Sequence, residues 1–295
     1  MTANLSCPIC NAQSFTPFLK VKDYTVSRET FQLLQCDQCS FILTYPMPED
    51  LGRYYQSAQY ISHSDQSSSV TDILYKLART ITLRWKTNLI DHHNPLPTKT
   101  LLDYGCGTGA FLAHAKKTGW TITGVEPADQ PRASASVTTQ APIVSTLQQV
   151  SAQNFSTITL WHVLEHIEDI HFMLDALKSK LADNGTIFIA VPNRNSYDAQ
   201  KYKEHWAAYD TPRHLWHFTQ QDIRSLMKQH GLTLQKIVPM KLDALYVSIL
   251  SETYRNERNA TSMATLLQGI IAGVKSNISA LRSQEYSSLI YIARK

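Results

Sequence analysis

The stretch LLDYGCGTGAF, residues 101–111, places three glycines in five positions between a short apolar run and an amphipathic one. Gly105, Gly107 and Gly109 let the backbone pass close beneath a ligand and turn directly into a helix N-terminus. A strand, a glycine turn and a helix in that order commit this part of the chain to a βαβ unit. A succession of such units implies a parallel sheet with helices on both faces. Residues 100–104, 121–125, 143–146, 156–161 and 186–191 read as strands, and 109–117, 129–136 and 170–181 as helices. TIFIAV at 186–191 is continuously apolar, as a strand covered on both faces should be. Thr219-Gln-Gln-Asp222 opens a further helix as a variant capping box, ended by Gly231. After it the rhythm breaks: 232–239 and 287–293 are strand-like, while 243–283 between them is helical and polar.

Two ligands suit the glycine turn. Gly105-x-Gly107-x-x-Ala110 fits the relaxed dinucleotide fingerprint, and Glu126 stands where a ribose-binding acid belongs in either case. Asp103 separates the readings. An acid two residues before the first glycine is costly in an apolar strand unless it meets a cation, such as the amino group of a methionine moiety. Gly109 follows Gly107 after one residue, and no second nucleotide-binding half appears downstream. Asp103, Gly105, Gly107, Gly109 and Glu126 therefore point to S-adenosylmethionine rather than a nicotinamide dinucleotide.

Four of the five cysteines form two knuckles, Cys7-Pro-Ile-Cys10 and Cys36-Asp-Gln-Cys39. Paired C-x2-C knuckles can place four thiolates around one tetrahedral zinc ion, which would be structural because no coordination position stays open. Two disulfides or a redox pair are the alternatives; neither a secretory signal nor a strand–helix context at the pairs supports them. Residues 1–45 read as a zinc-ribbon module with a short hairpin around the second knuckle. Residues 46–94 read as a linker, polar and Ser-rich at 56–69, and then a helix on which Leu74, Leu77, Ala78, Ile81, Trp85 and Leu89 recur at helical spacing. Residues 95–295 form the main domain, with a helical insertion near 243–283.

WHVLEHIED, residues 161–169, contains the spelling H-x-x-E-H of an inverted zinc-protease helix. Here it follows a strand at the sheet's carboxyl edge and lies in a loop, so the two-histidine helical geometry is not supplied.

Taken together, LLDYGCGTG, GVEP, FSTITLWHVLEHIED, LADNGTIFIAVPN and YDTPRHLWHF resemble the class I S-adenosylmethionine-dependent methyltransferases over about residues 95–240. The resemblance implies a Rossmann-like, doubly wound α/β fold whose seven-stranded sheet has an antiparallel last strand. The knuckle module resembles that of some members acting on sugars or ribosomal RNA. Trp161 and His162 would line the donor pocket, and Glu165 and His166 would face the acceptor or brace the loop. The ubiquinone-pathway O-methyltransferases are similar here, with E-x-x-E-H and a divalent metal; His162 replaces their first acid. The acid often found after the phenylalanine of this strand is Ser156.

A second cluster, HWAAYDTPRHLWHF at 205–218, falls where the family builds its acceptor wall. Arg213, His214 and His217, beside Trp206, Tyr209 and Trp216, suit a planar or anionic acceptor, or else an aromatic satellite core. Tyr54, Tyr55, Tyr60 and His63 suit either a lid over the donor or a packing role. Methyl transfer needs alignment and exclusion of water, with a histidine as base where the acceptor is a hydroxyl or ring carbon. His166, His214 and His217 are the candidates. Net charge is +4 with basic residues scattered, and 259–274 is too short and polar to span a bilayer. The expected protein is a cytoplasmic methyltransferase acting on a small sugar, quinone or polyketide-like acceptor. An RNA methyltransferase and a non-catalytic zinc-ribbon protein are the other readings.

Overall fold

The computed structural model describes residues 5–55, 70–257 and 262–295, and of 70–79 the backbone alone. Its larger sheet contains β4 (Thr100–Tyr104), β5 (Thr121–Val125), β6 (Ile143–Val144), β7 (Phe155–Trp161), β8 (Leu181–Pro192), β10 (Thr233–Pro239) and β11 (Ser288–Arg294). Their order is β10-β11-β8-β7-β4-β5-β6, parallel from β8 through β6, with β11 antiparallel to both of its neighbours. The expected seven-stranded sheet and the reversed closing strand are both present. The chain runs from β4 through β5 to β6 on one side and resumes at β7 on the other. The carboxyl ends of β4 and β7 therefore flank a topological switch point, the crevice where such sheets bind ligands.

Both faces of the sheet's centre are buried, which explains why the Ile187–Val191 run of β8 is continuously apolar rather than alternating. Leu101, Ile290 and Ile292 pack on one face with Ile90 of α1 (Val70–His93) and with Phe111 and Leu112 of α2 (Ala110–Lys117). Leu102, Leu289 and Tyr291 pack on the other with Leu174 and Leu177 of α4 (Ile170–Lys180) and Leu226 of α6 (Gln220–Gln229). Between these helices come α3 (Asp129–Thr139) and the short α5 (Tyr197–Tyr202). The capping box expected at Thr219–Asp222 is formed in both directions. On α1 the apolar face is rotated from the expected one: Ile81 is exposed and Ile90 carries the burial. Leu74, Leu77 and Ala78 lie among residues whose side chains are not described.

The knuckle module is larger than its sequence signal. Strands β1 (Phe15–Lys22), β2 (Thr30–Cys36) and β3 (Ile42–Tyr45) form an antiparallel sheet, and β9 (Trp216–His217), from the loop after β8, pairs with β3 to complete it. Leu34, Phe41 and Leu43 enter the core under the main sheet, while Val21, Leu33 and Ile42 meet Trp206 and Tyr209 on the other side. A break at residue 45 is thus a boundary in sequence but not in packing. Residues 243–283 form a helical hairpin, α7 (Asp243–Arg255) and α8 (Met263–Ser283). It is less polar than expected, because α8 shows a row of large apolar side chains to solvent.

Arg213 clamps the two parts together. Its guanidinium donates to Asp23 of the module at 3.0 Å, to Asp210 at 2.6 Å and to the Tyr54 carbonyl at 2.9 Å. Burial pushes Asp23 toward the neutral form, but the bond and charge of Arg213 together with the Ser27 and Thr25 backbone donors outweigh it and hold the carboxyl below its ordinary value. Removing one partner of such a buried pair strands the other charge. Arg213→Ala should therefore lower stability by about 3–5 kcal/mol, read as a fall in the urea midpoint.

Candidate functional site

The crevice at the switch point is built on the glycine turn. Gly105, Gly107 and Gly109 all take positive φ, 75°, 54° and 78°. At Gly105 a Cβ would strike Val163 at 2.5 Å, and at Gly109 it would strike Thr139 at 2.8 Å. At Gly107 it would meet nothing within 4 Å, so this backbone borders open space. Glu126 follows β5 and fixes the turn: Gly107 N–H donates to its Oε2 at 2.8 Å and Ala128 N–H to its Oε1 at 3.0 Å. Each oxygen keeps a second lone pair for a hydroxyl donor.

Asp103, near the end of β4, is almost wholly buried and accepts from the Thr159 hydroxyl at 2.6 Å. Burial pushes its pKa up to about 7, against the bond from Thr159 and the charge of Lys86. The Lys86 ammonium stands 4.3 Å from the centre of the Trp161 ring, and Phe111 meets that ring edge-on at 5.3 Å. Burial lowers the lysine's pKa, partly offset by Asp243 and Asp103. The buried Trp161 Nε1 has no hydrogen-bond partner among the described residues. Lys86 is a site residue that pattern reading missed: helical periodicity marks apolar positions, and nothing in the sequence marked a lysine on α1 as facing Asp103.

Past Trp161 the chain turns sharply. His162 takes φ 57°, and a single 3-10 turn, Leu164–His166, follows. His162 Nε2–H donates to Asp243 at 2.9 Å, at the start of α7, and Nδ1–H to Glu165 Oε1 at 3.3 Å. A ring donating from both nitrogens is an imidazolium with no lone pair for a metal. Burial opposes that charge, but the two carboxylates outweigh burial and hold the pKa up to about 9. The ligand set His162/Glu165/His166 suggested by the E-x-x-E-H likeness is accordingly replaced. Glu165, His166 and His214 offer ligand atoms within 4.8 Å of one another.

In that group Glu165 is fully buried, yet its pKa lies below the ordinary carboxylate value: burial raises it, and the bond from His162 leads the histidine contributions that together outweigh burial. Its Oε2 has no hydrogen-bond partner among the described residues. His166 Nδ1–H donates to the Arg213 carbonyl at 3.0 Å, with the Tyr55 hydroxyl 2.9 Å from the same nitrogen, so the lone pair sits on Nε2. Burial and the neighbouring His214 push its pKa down to about 4. His214 Nδ1–H donates to the Ala208 carbonyl at 2.8 Å, turning Nε2 toward Glu165 Oε1 at 4.0 Å. The His166 and His214 rings meet edge to face at 4.5 Å. A buried carboxylate oxygen and a ring nitrogen of each histidine thus lie together, an arrangement that can accept a proton from a hydroxyl or hold a divalent cation.

His217 lies elsewhere. Buried in β9, it bonds Thr44 at 2.9 Å and packs on Tyr209 at 5.1 Å, in the seam with the module. Arg213 is spent on the clamp, Trp206 donates to Asp198 and Trp216 to the Ile167 carbonyl. The second cluster is therefore mostly the satellite core, and His214 alone of its histidines joins the site. Of the expected lid, Tyr54 is buried and donates to Glu29, Tyr55 reaches His166, and Tyr60 and His63 lie outside the described residues. Ser156 bonds Thr100 at the opposite end of the sheet, so its replacement of an acid leaves the crevice untouched.

The four cysteines of the knuckles gather as expected, with Cys7–Cys39 and Cys10–Cys36 sulfur separations of 3.5 and 3.6 Å and all four within 4.8 Å of one another. Those separations are too long for a disulfide bond and fit the roughly 3.8 Å edge of a tetrahedron with metal–sulfur bonds near 2.3 Å.

The model of the methyltransferase-domain family matches residues 75–237, more than half of the chain, and the chain belongs to that family. It is similar to the ubiquinone biosynthesis O-methyltransferase of Pseudomonas paraeruginosa, 27% identical over 37% of this chain and 51% of that protein. The counterpart from Rhizobium leguminosarum bv. trifolii is 29% identical over 34% and 43%. The chain thus spans about half the length of the curated relatives it matches. Among solved structures it resembles magnesium protoporphyrin IX methyltransferase from Synechocystis PCC 6803 with bound SAH (TM-score 0.53, 15% identity, 82% of this chain and 96% of that one). It also resembles geranyl diphosphate C-methyltransferase from Streptomyces coelicolor A3(2) (TM-score 0.52, 12% identity, 81% and 88%). These likenesses establish the fold as that of the class I methyltransferases. No described helix is long and apolar enough to cross a membrane.

The charge on His162 is directly testable. By ¹⁵N NMR it should titrate near pH 9, and Asp243→Asn should bring the midpoint down toward the ordinary imidazole value. Because the folded value is raised, the stability it contributes is complete below about pH 6.5 and fades as pH rises through about 9. Native and D243N proteins should differ in urea midpoint at neutral pH and converge at high pH.

Proposed function

We propose that this chain transfers a methyl group from S-adenosylmethionine to the hydroxyl of a small-molecule acceptor. The single observation that carries the reading is the pairing of two half-sites on one turn of chain. Asp103, Gly107, Glu126, Lys86 and Trp161 edge a crevice at the switch point. Only a few residues on, the buried Glu165 carboxylate lies within 4.8 Å of a ring nitrogen of His166 and one of His214, and its Oε2 has no hydrogen-bond partner among the described residues.

The crevice residues fit the donor. The open space at Gly107 admits its nucleoside against the backbone, and the free lone pairs of Glu126 suit its two ribose hydroxyls. Asp103 is buried beyond what Thr159 alone offsets and calls for a cation, which the methionine ammonium provides. Lys86 is the matching cation for the methionine carboxylate, and Trp161 offers an N–H that is unpaired among the described residues. Bound there, the donor supplies a methyl carbon on a sulfonium whose leaving group is already activated. Glu165 and the Nε2 atoms of His166 and His214 orient the acceptor hydroxyl and take up its proton as the carbon–oxygen bond forms. His162, charged and held by Asp243 and Glu165, braces that turn, and Tyr55 covers it. A divalent cation on Glu165, His166 and His214 would serve the same end by stabilising the alkoxide form of the acceptor. The four knuckle cysteines are read as a structural zinc site, its tetrahedron filled by sulfur.

Calorimetric titration of S-adenosylmethionine tests the donor site. An ionised Asp103 is the better host for an ammonium, so affinity should rise as pH increases through about 7. Asp103→Asn should weaken binding by about 10-fold or more and flatten that pH dependence. Binding that is equally tight in the variant at every pH would sink the assignment. For the knuckles, elemental analysis should return one zinc per chain, and Cys36→Ser should lose it together with several degrees of melting temperature.

A further inference from the structure

A neutral imidazole has two tautomers, and only the one with its lone pair turned toward the acceptor can take a proton from it. Burial and the neighbouring His214 keep His166 neutral at neutral pH, so its tautomer must be imposed by hydrogen bonds. The Arg213 carbonyl stands 3.0 Å from Nδ1 and can only accept, which places the proton on Nδ1 and leaves the lone pair on Nε2. The Tyr55 hydroxyl, 2.9 Å from the same nitrogen, is a second acceptor.

Both acceptors lead back to one residue. The first is Arg213's own carbonyl. The second depends on its guanidinium, because Nη1 donates to the Tyr54 carbonyl at 2.9 Å, next to Tyr55 in the chain. The guanidinium plane is fixed in turn. Nε and Nη2 fork onto the two oxygens of Asp210 at 2.9 and 2.6 Å, and Nη2 also donates to Asp23 at 3.0 Å. His214 N–H closes the turn on the Asp210 carbonyl at 3.0 Å, joining the carbonyl that faces His166 to the carboxylate that faces the guanidinium. Asp23 is itself held. It is buried and accepts from the backbone N–H groups of Thr25, Val26 and Ser27 at 2.9, 3.2 and 2.7 Å, in the turn after β1. A path of hydrogen bonds thus runs from the knuckle module to the imidazole. His214 is different: its ring is oriented by the Ala208 carbonyl at 2.8 Å, a bond that involves neither Arg213 nor the module.

We infer that Arg213 is a positioning residue for His166, and that Asp23 makes this positioning depend on the knuckle module. The role rests on the reading of His166 as a group that takes up the acceptor's proton, and it gives the module a part in the site beyond holding a zinc ion. A lysine at 213 would keep the charge, but one ammonium cannot fork onto Asp210 while also reaching Asp23 and the Tyr54 carbonyl.

Ring ¹⁵N–¹H correlation spectra of the full chain at neutral pH test it. In the native protein His166 should show a protonated, slowly exchanging Nδ1 and a bare Nε2. Asp23→Asn keeps the shape of the side chain and removes its charge. It should speed exchange of the His166 Nδ1 proton by about 10-fold, as the loss of one charge-assisted bond implies. Arg213→Lys should speed it further. His214 should keep its Nδ1 proton unchanged in both variants, a contrast that general loosening of the fold would not give. Tyr55→Phe should leave the His166 tautomer as it is, because the Arg213 carbonyl remains. A native His166 protonated on Nε2, an exchange rate unmoved by D23N and R213K, or equal acceleration at His166 and His214 would each overturn the inference. Calorimetry with S-adenosylmethionine reads the donor site apart from this: D23N should bind it as the native chain does, and a native chain that binds none would defeat the methyl-transfer reading instead.

Discussion

A carboxylate taken fully out of water must be answered by positive charge or by donors, and the geometry around Glu165 is organised by that demand. One oxygen is met by His162, which can stay charged in a buried setting because Asp243 holds its other nitrogen. The backbone of the same residue accepts from Leu215 N–H at 2.8 Å, tying the turn after β7 to the loop that carries His214. That one residue draws together three segments remote in sequence: the turn after β7, the loop after β8 and the first turn of α7. Its remaining oxygen has no donor among the described residues. Leaving a buried charged acceptor bare costs more than a neutral one, so the site is under standing pressure to be filled.

The donor side obeys a related rule with the sign reversed. Asp103 sits at the end of a strand buried on both faces, and its pKa is driven to about 7 because Thr159 and Lys86 only partly compensate for lost hydration. Lys86 in turn is pulled between Asp103 and Asp243, which also binds His162. Electrostatics therefore runs continuously from the glycine turn to the histidine pair, and a change of charge at one end is felt at the other.

Much of the fold was legible because burial on both faces leaves a strong signature in composition. Short apolar runs alternating with amphipathic helices gave the parallel strands, and the glycine turn after the first of them marked the edge of the switch-point crevice. What escaped was what depends on partners distant in sequence. The strand pair Trp216–His217 is too short to register by pattern, and exists because the edge of β3 needs an occupant. Without that pairing in view, Arg213 and His217 looked like pocket residues when they serve the seam. Asp243 was invisible for a similar reason: an acid at the first turn of a helix is ordinary by dipole arguments, and only the folded chain brings it to His162. On α8, the Asn, Ser, Thr and Gln content suggested polarity; the structure turns small residues inward against α7 and large apolar ones outward.

The shared strand also bears on how such a chain can change over generations. A knuckle module that closes its sheet with a strand lent by its host is not a cassette to be swapped between enzymes. A transplanted module would need an edge matched to Trp216–His217 and an acid to meet Arg213, because the recipient's loop supplies that strand and that guanidinium. Recombination breakpoints at the apparent linker would sever those matches, so the two parts should share ancestry as one unit.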